Sequence, residues 1–277
     1  MSEFYSSGDA RLAYRDSGSG LPVFFLHPTP LDGAYWQLML GHLAGVRAIV
    51  PDFRSHGASE LGTGLPVGLF SAVPDAPALT MEQLANDIFS LMDHLELPQA
   101  VFVGCSVGGY AMLEMFRQAP QRMRGLAFIC SKPQPDAPAN HEKRIATIAQ
   151  ARAGASSTVF DGMAQTLIGA TTRTTRPEVV LELRARITLT REALVAVQAG
   201  LAVRPDSLPT VATIRVPVLS IAGGEDPGVT PAEMEAFCAA QGTTESHVLP
   251  DAGHFVAYEW PEKTAALVGP WLRQFAG

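Results

Sequence analysis

Short apolar runs alternate with longer amphipathic stretches along most of this chain. Pro22 to Leu26, Val46 to Val50, Ala100 to Val103, Met123 to Cys130, Val216 to Ala222 and Glu245 to Leu249 have the length of strands. Runs of this size bounded by turn residues read as strands in a buried sheet. Ala10 to Asp16 adds another, paired in a hairpin with residues around Glu3 to Ser7. Helical spacing falls between them. It predicts helices over Leu31 to Leu43, with Trp36, Leu40 and Leu43 on one face, and over Thr80 to Leu95, where Thr80 and Gln83 form a capping box. Further helices are expected from Tyr110 to Ala119, Pro231 to Ala240 and Pro261 to Phe275. Gly62 to Ala78 has no period and reads as a long irregular loop.

The alternation stops after Cys130. Pro133 to Pro138 is a proline-rich hinge, and helices are expected over Glu142 to Ala153, Ser157 to Ile168, Pro177 to Ile187 and Arg191 to Leu201. The prediction is therefore an α/β protein. A mostly parallel eight-stranded sheet is flanked by helices, and a helical cap over residues 133–210 interrupts a core of 1–132 and 211–277 before the last two strands.

Composition narrows the function. Of 277 residues, 47% are apolar, which suits a large core, and the net charge of −7 argues against a nucleic-acid partner. No apolar run has the length of a membrane span. Met1 to Tyr5 has neither a basic nor an apolar leader segment, so no membrane association and a cytoplasmic location are the expectation. Residues 131–215 hold 11 Lys+Arg against 7 Asp+Glu, while the rest holds 9 against 20. Cys105, Cys130 and Cys238 are isolated and offer neither a disulfide framework nor paired metal ligands.

Most of the chemistry sits at strand ends. Gly104-Cys105-Ser106-Val107-Gly108 fits G-x-S-x-G between a strand and a helix, a setting that lifts a serine hydroxyl clear of the sheet beside helix N–H groups. Cys105 reads as a small buried hydrophobe. A serine needs a histidine base, and the histidine needs an acid. Glu225 and Asp226 compete for the acid, with Asp226 favoured by its place in the turn; His254 follows the next strand. His56 reads as a brace for its own turn, and His42, His94, His141 and His247 as structural or solvated.

With these motifs in order, the chain resembles the α/β-hydrolase superfamily. Gly104 to Gly108 is similar to its nucleophile elbow and Gly224 to Pro227 to its acid turn. Asp251-Ala252-Gly253-His254, followed by Glu259-x-Pro261-Glu262, is similar to its histidine loop. Asp52-Phe53-Arg54-Ser55-His56-Gly57-Ala58-Ser59 is similar to its D-x-R-G-H-G-x-S turn, with Ser55 where glycine is usual. Arg173 to Pro209 looks most like the carboxylesterase and 3-oxoadipate enol-lactonase-like branch.

The resemblance implies a serine hydrolase of esters or lactones, with Ser106, Asp226 and His254 as catalytic residues and no cofactor or metal. C–C bond hydrolysis, cofactor-free perhydrolysis and non-hydrolytic ligand binding remain alternatives. The family's usual His-Gly oxyanion loop is His27-Pro28 here, and proline has no N–H to donate. The expected oxyanion donors are therefore Val107 and Thr29. Trp36 and Phe53 are expected to line the substrate pocket. Arg173, Arg184, Arg186 and Arg191 either solvate helix faces or favour a carboxylate-bearing small molecule.

Overall fold

The structure is a computed structural model that describes residues 2–275. Eight strands form one sheet: β1 (Glu3–Ser7), β2 (Ala10–Gly18), β3 (Leu21–Leu26), β4 (Val46–Pro51), β5 (Ala100–Cys105), β6 (Met123–Ile129), β7 (Val218–Gly223) and β8 (Thr244–Leu249). Their order is β1-β2-β4-β3-β5-β6-β7-β8. The β1–β2 hairpin and the β2–β4 pair are antiparallel. Every pair from β4 across to β8 is parallel.

The central strands read as unbroken apolar runs because both faces of the sheet are covered. Along β3, Val23 and Phe25 enter one hydrophobic cluster, and Phe24 and Leu26 enter the other. Phe102 and Phe128 continue the second face, while Val101, Val103, Leu219 and Ile221 continue the first. The edge strand β8 instead carries exposed Glu245 and Ser246. Polar side chains there discourage pairing with another chain.

The helices follow the spacing, with some departures. The expected helix over Leu31 to Leu43 is only a short 3-10 turn, Gly33–Trp36, and one α-helical turn, α1 (Gln37–Leu40). Asp32 caps this segment late, by accepting from the Ala34 N–H, and little chain remains before β4. In α2 (Met81–His94) Thr80 accepts from the Gln83 N–H, but the Gln83 side chain turns to Asp87. The capping box is thus half formed. The expected Pro231 to Ala240 helix is a single turn, α10 (Pro231–Met234), followed by 3-10 residues Glu235–Ala239.

The helix after β5 is α3 (Val107–Gln118). Between β6 and β7 lie α4 (Pro138–Arg152), α5 (Ser156–Leu167), α6 (Ala170–Thr175), α7 (Glu178–Arg186), α8 (Arg191–Ala202) and the single turn α9 (Leu208–Val211). Of these, α6 has no counterpart in the expected elements, because its sequence is threonine-rich rather than apolar. Phe160, Leu183 and Ile187 of this segment join the cluster that covers one face of the sheet. The chain closes with α11 (Val256–Glu259) and α12 (Pro261–Arg273).

Candidate active site

Ser106 sits between β5 and α3 with φ 52° and ψ −115°, a strained conformation for a residue with a side chain. Its neighbours must be glycine. A Cβ on Gly104 would lie 2.4 Å from Met112 Sδ, and one on Gly108 would lie 2.2 Å from the Leu26 carbonyl oxygen. The turn is held by the Ser106 N–H donating to Ile129 O at 3.0 Å, and by Ser131 Oγ donating to Ser106 O at 3.1 Å.

Asp226 follows β7. One carboxylate oxygen accepts from the Gly228 and Val229 N–H groups at 2.7 and 3.1 Å; the other lies 2.7 Å from His254 Nδ1. Burial is the largest influence on Asp226 and by itself raises its pKa. The neighbouring His254 and the two N–H groups outweigh it, and the carboxyl titrates below its ordinary range. An ionised Asp226 makes Nδ1 the protonated nitrogen of a neutral His254 and leaves Nε2 as a base. The rival Glu225 faces elsewhere, accepting from the N–H and hydroxyl of Thr171.

Ser106, His254 and Thr29 line one cavity of about 490 Å³. Among the described residues the N–H groups of Thr29 and Val107 have no acceptor. Two buried histidines brace the Thr29 loop. His27 accepts from the Phe53 N–H at 2.9 Å on Nε2 and faces Pro28 O with Nδ1. His56 faces Arg54 O with Nδ1 at 2.8 Å and Thr29 Oγ1 with Nε2 at 3.0 Å. Burial pushes both down to about 3. Each is therefore neutral with Nδ1–H donating to a carbonyl, so the Thr29 hydroxyl donates to His56.

Cys105 is fully buried, and its thiol faces Tyr35 Oη at 3.4 Å rather than the cavity. Burial pushes that thiol far above its ordinary pKa, which leaves it inert. Cys130, Asp226 and His254 bring possible ligand atoms within 4.8 Å of one another. The Asp226–His254 hydrogen bond already occupies two of them.

The structure corrects two of the expected pocket residues. Trp36 and Phe53 are both core residues, and neither lines the cavity. Trp36 packs tilted against Phe25 and edge-on against Tyr35, and Phe53 lies against His27. The four arginines singled out in the sequence, Arg173, Arg184, Arg186 and Arg191, do not line the cavity either. Arg184 pairs with Asp161, Arg191 with Glu192, Arg173 donates to Gln165 and Ile168 carbonyls, and Arg186 covers Tyr258. The positive charge on the cavity comes from Lys132, Lys143, Arg144 and Arg204 instead, against one carboxylate, Asp136. Tyr110 and Gln198 also line it. Tyr110 was legible in principle, one helical turn beyond Ser106. Gln198 and Arg144 were not, because only the packing of α8 beside α4 brings them together.

Residues 23–267 match the alpha/beta hydrolase family, and the chain belongs to it. A 3-oxoadipate enol-lactonase of Acinetobacter baylyi is 26% identical over 249 residues, covering 87% of this chain and 84% of that one. The solved structure of a thermophilic esterase from Thermogutta terrifontis, with malate bound, matches with a TM-score of 0.88 at 30% identity, covering 100% of both chains. A non-heme chloroperoxidase of Kitasatospora aureofaciens is 30% identical over 123 residues, 43% of this chain and 40% of that one.

Proposed function

We propose that this chain is a serine hydrolase that cleaves carboxylic esters or lactones through an acyl-enzyme. The observation that carries the reading is the 2.7 Å contact between Asp226 and His254 Nδ1, on a cavity that also exposes a strained serine. In this reading His254 Nε2 takes the Ser106 proton as Oγ attacks the carbonyl carbon. The Val107 and Thr29 N–H groups hold the oxyanion. His254 then protonates the leaving alkoxide, and a water deprotonated by His254 releases the acid. Asp226 keeps His254 in the required tautomer and stabilises its charged form. Residues 133–210 act as a cap, and Leu167 and Gln198 of that segment line the cavity beside Ser106.

The enol-lactonase and esterase relatives support an ester or lactone as substrate. An anionic small molecule suits the excess of cations on the cavity, and the malate-bound esterase is consistent with it. The chloroperoxidase relative supports a second reaction at the same serine, perhydrolysis, in which hydrogen peroxide replaces water as the second nucleophile.

Labelling with a fluorophosphonate probe, read by intact mass, tests the reading. One adduct on the wild type and none on Ser106→Ala is the expected result. Ester turnover should fall by at least about 10³-fold in that variant. Wild-type turnover by folded Ser106→Ala would overturn the assignment. A peracid assay on the same samples reads the perhydrolytic reaction.

A further inference from the structure

Resting on the serine hydrolase reading, the geometry points to a carboxylate-binding subsite formed by Arg144, Gln198 and Tyr110, so that the substrate carries a free carboxylate on its acyl portion. The cluster begins with Asp136, whose side chain is almost fully buried between the guanidinium groups of Arg144 and Arg204. Burial is the strongest influence on Asp136 and would raise it. The two arginines outweigh that and hold it below the usual carboxylate range, so it is ionised. One carboxylate against two guanidiniums leaves an excess positive charge in the cavity wall. Lys132 does not add to it, being paired with Glu233 at 2.5 Å.

The hydrogen bonds show which donors remain. Arg144 gives Nε to Asp136 and Nη1 to Gln198 Oε1, the latter at 2.8 Å. Accepting that bond fixes the Gln198 amide, so its NH2 is turned away from Arg144 as a donor. Among the described residues neither Arg144 Nη2 nor Gln198 Nε2 has an acceptor. Arg204 Nε has no partner but is buried, its guanidinium lying 4.6 Å over the Tyr110 ring, so Arg204 contributes charge to the wall and no free donor. The Tyr110 hydroxyl also lacks a partner, and burial pushes it up to about 12, which keeps it a donor at neutral pH. All four side chains line the cavity that holds Ser106 and His254. A wall of donors without acceptors beside an uncompensated charge is complementary to a carboxylate, which only accepts. The Asp136 oxygens are already engaged by both arginines, so Asp136 does not supply that acceptor.

The test compares 4-nitrophenyl hydrogen adipate, whose acyl chain ends in a carboxylate, with neutral 4-nitrophenyl hexanoate. The expected wild-type kcat/KM is at least about tenfold higher for the anionic ester. Arg144→Met, and separately Gln198→Leu, should bring the ratio to within about threefold of one. A ratio of two rates from one preparation is unaffected by loss of folded enzyme. Equal wild-type rates, or a ratio that survives both substitutions, would overturn the subsite while leaving the hydrolase reading intact. If neither ester is turned over, calorimetry with adipate on the Ser106→Ala protein reads the subsite without catalysis. Binding weakened about tenfold by Arg144→Met supports it, and no binding, or binding indifferent to the substitution, refutes it.

Discussion

At the scale of single residues, the site depends on which protonation state each buried group is held in. Asp226 is ionised because two N–H groups and His254 compensate its burial. Asp226→Asn keeps the shape but presents an amide that can stabilise the wrong tautomer of His254. Turnover should drop by about 10³–10⁴-fold with little change in melting temperature. Activity within tenfold of wild type would show that Asp226 does not orient the base. His27 and His56 work in the opposite sense, being kept neutral by burial, at about 3. Their folded pKa lies below the unfolded value of about 6.5. The unfolded chain therefore binds more protons between those limits, and stability falls as pH drops from about 6.5 towards 3. Each contributes a slope of at most about 1.4 kcal/mol per pH unit. Urea midpoints measured from pH 7 to 4.5 should fall, and the fall should be shallower in His56→Gln. Equal slopes in the two proteins would contradict the buried neutral imidazole.

At the scale of elements, the helical segment between β6 and β7 is bonded to the loop carrying His254 at several points. The His254 N–H donates to Leu167 O at 2.7 Å, at the end of α5. Glu259, buried at the end of α11, accepts from the Gly169 N–H at 2.9 Å with one oxygen and from the Gly253 N–H at 3.0 Å with the other. The two backbones meet so closely that a Cβ on Gly253 would lie 2.2 Å from the Gly169 nitrogen. One carboxylate thus joins the loop carrying His254 to the segment whose Leu167 walls the cavity. Glu259→Gln replaces one acceptor with an NH2 group facing an N–H. A loss of about 1–3 kcal/mol is expected in urea unfolding, with a lower kcat. Glu259→Asp, too short to span both N–H groups, should not restore kcat; full recovery would argue against a two-sided bridge.

At the scale of the whole molecule, charge is divided. The chain carries −7 overall, yet the cavity is lined by four cations and one carboxylate. An anion is repelled at long range and drawn in close to the mouth, and salt weakens both fields. If the local field dominates capture, kcat/KM for the anionic adipate ester should fall between 20 and 300 mM salt while that for the hexanoate ester stays level. Parallel responses would place the cavity charge outside substrate capture. Among the described residues no helix is long and apolar enough to cross a membrane.

The sequence by itself determined what depends on neighbours along the chain. Strand and helix order follow from apolar periodicity, because a sheet covered on both faces admits only apolar runs. The turn at Ser106 is legible because only glycine fits at 104 and 108. Ser55 shows the limit of such reading: it holds φ 66°, a left-handed conformation, where glycine is usual. Tertiary structure alone decided the cavity wall. Trp36 and Phe53 look like pocket residues in one dimension and are core in three, since an aromatic side chain carries no mark of which side it will be packed from. The arginines that compose the wall differ from those that stand out in the sequence, because Asp136, Arg144, Gln198 and Arg204 meet only when α8 lies beside α4. Contacts between segments tens of residues apart are set by packing, and no local pattern encodes them.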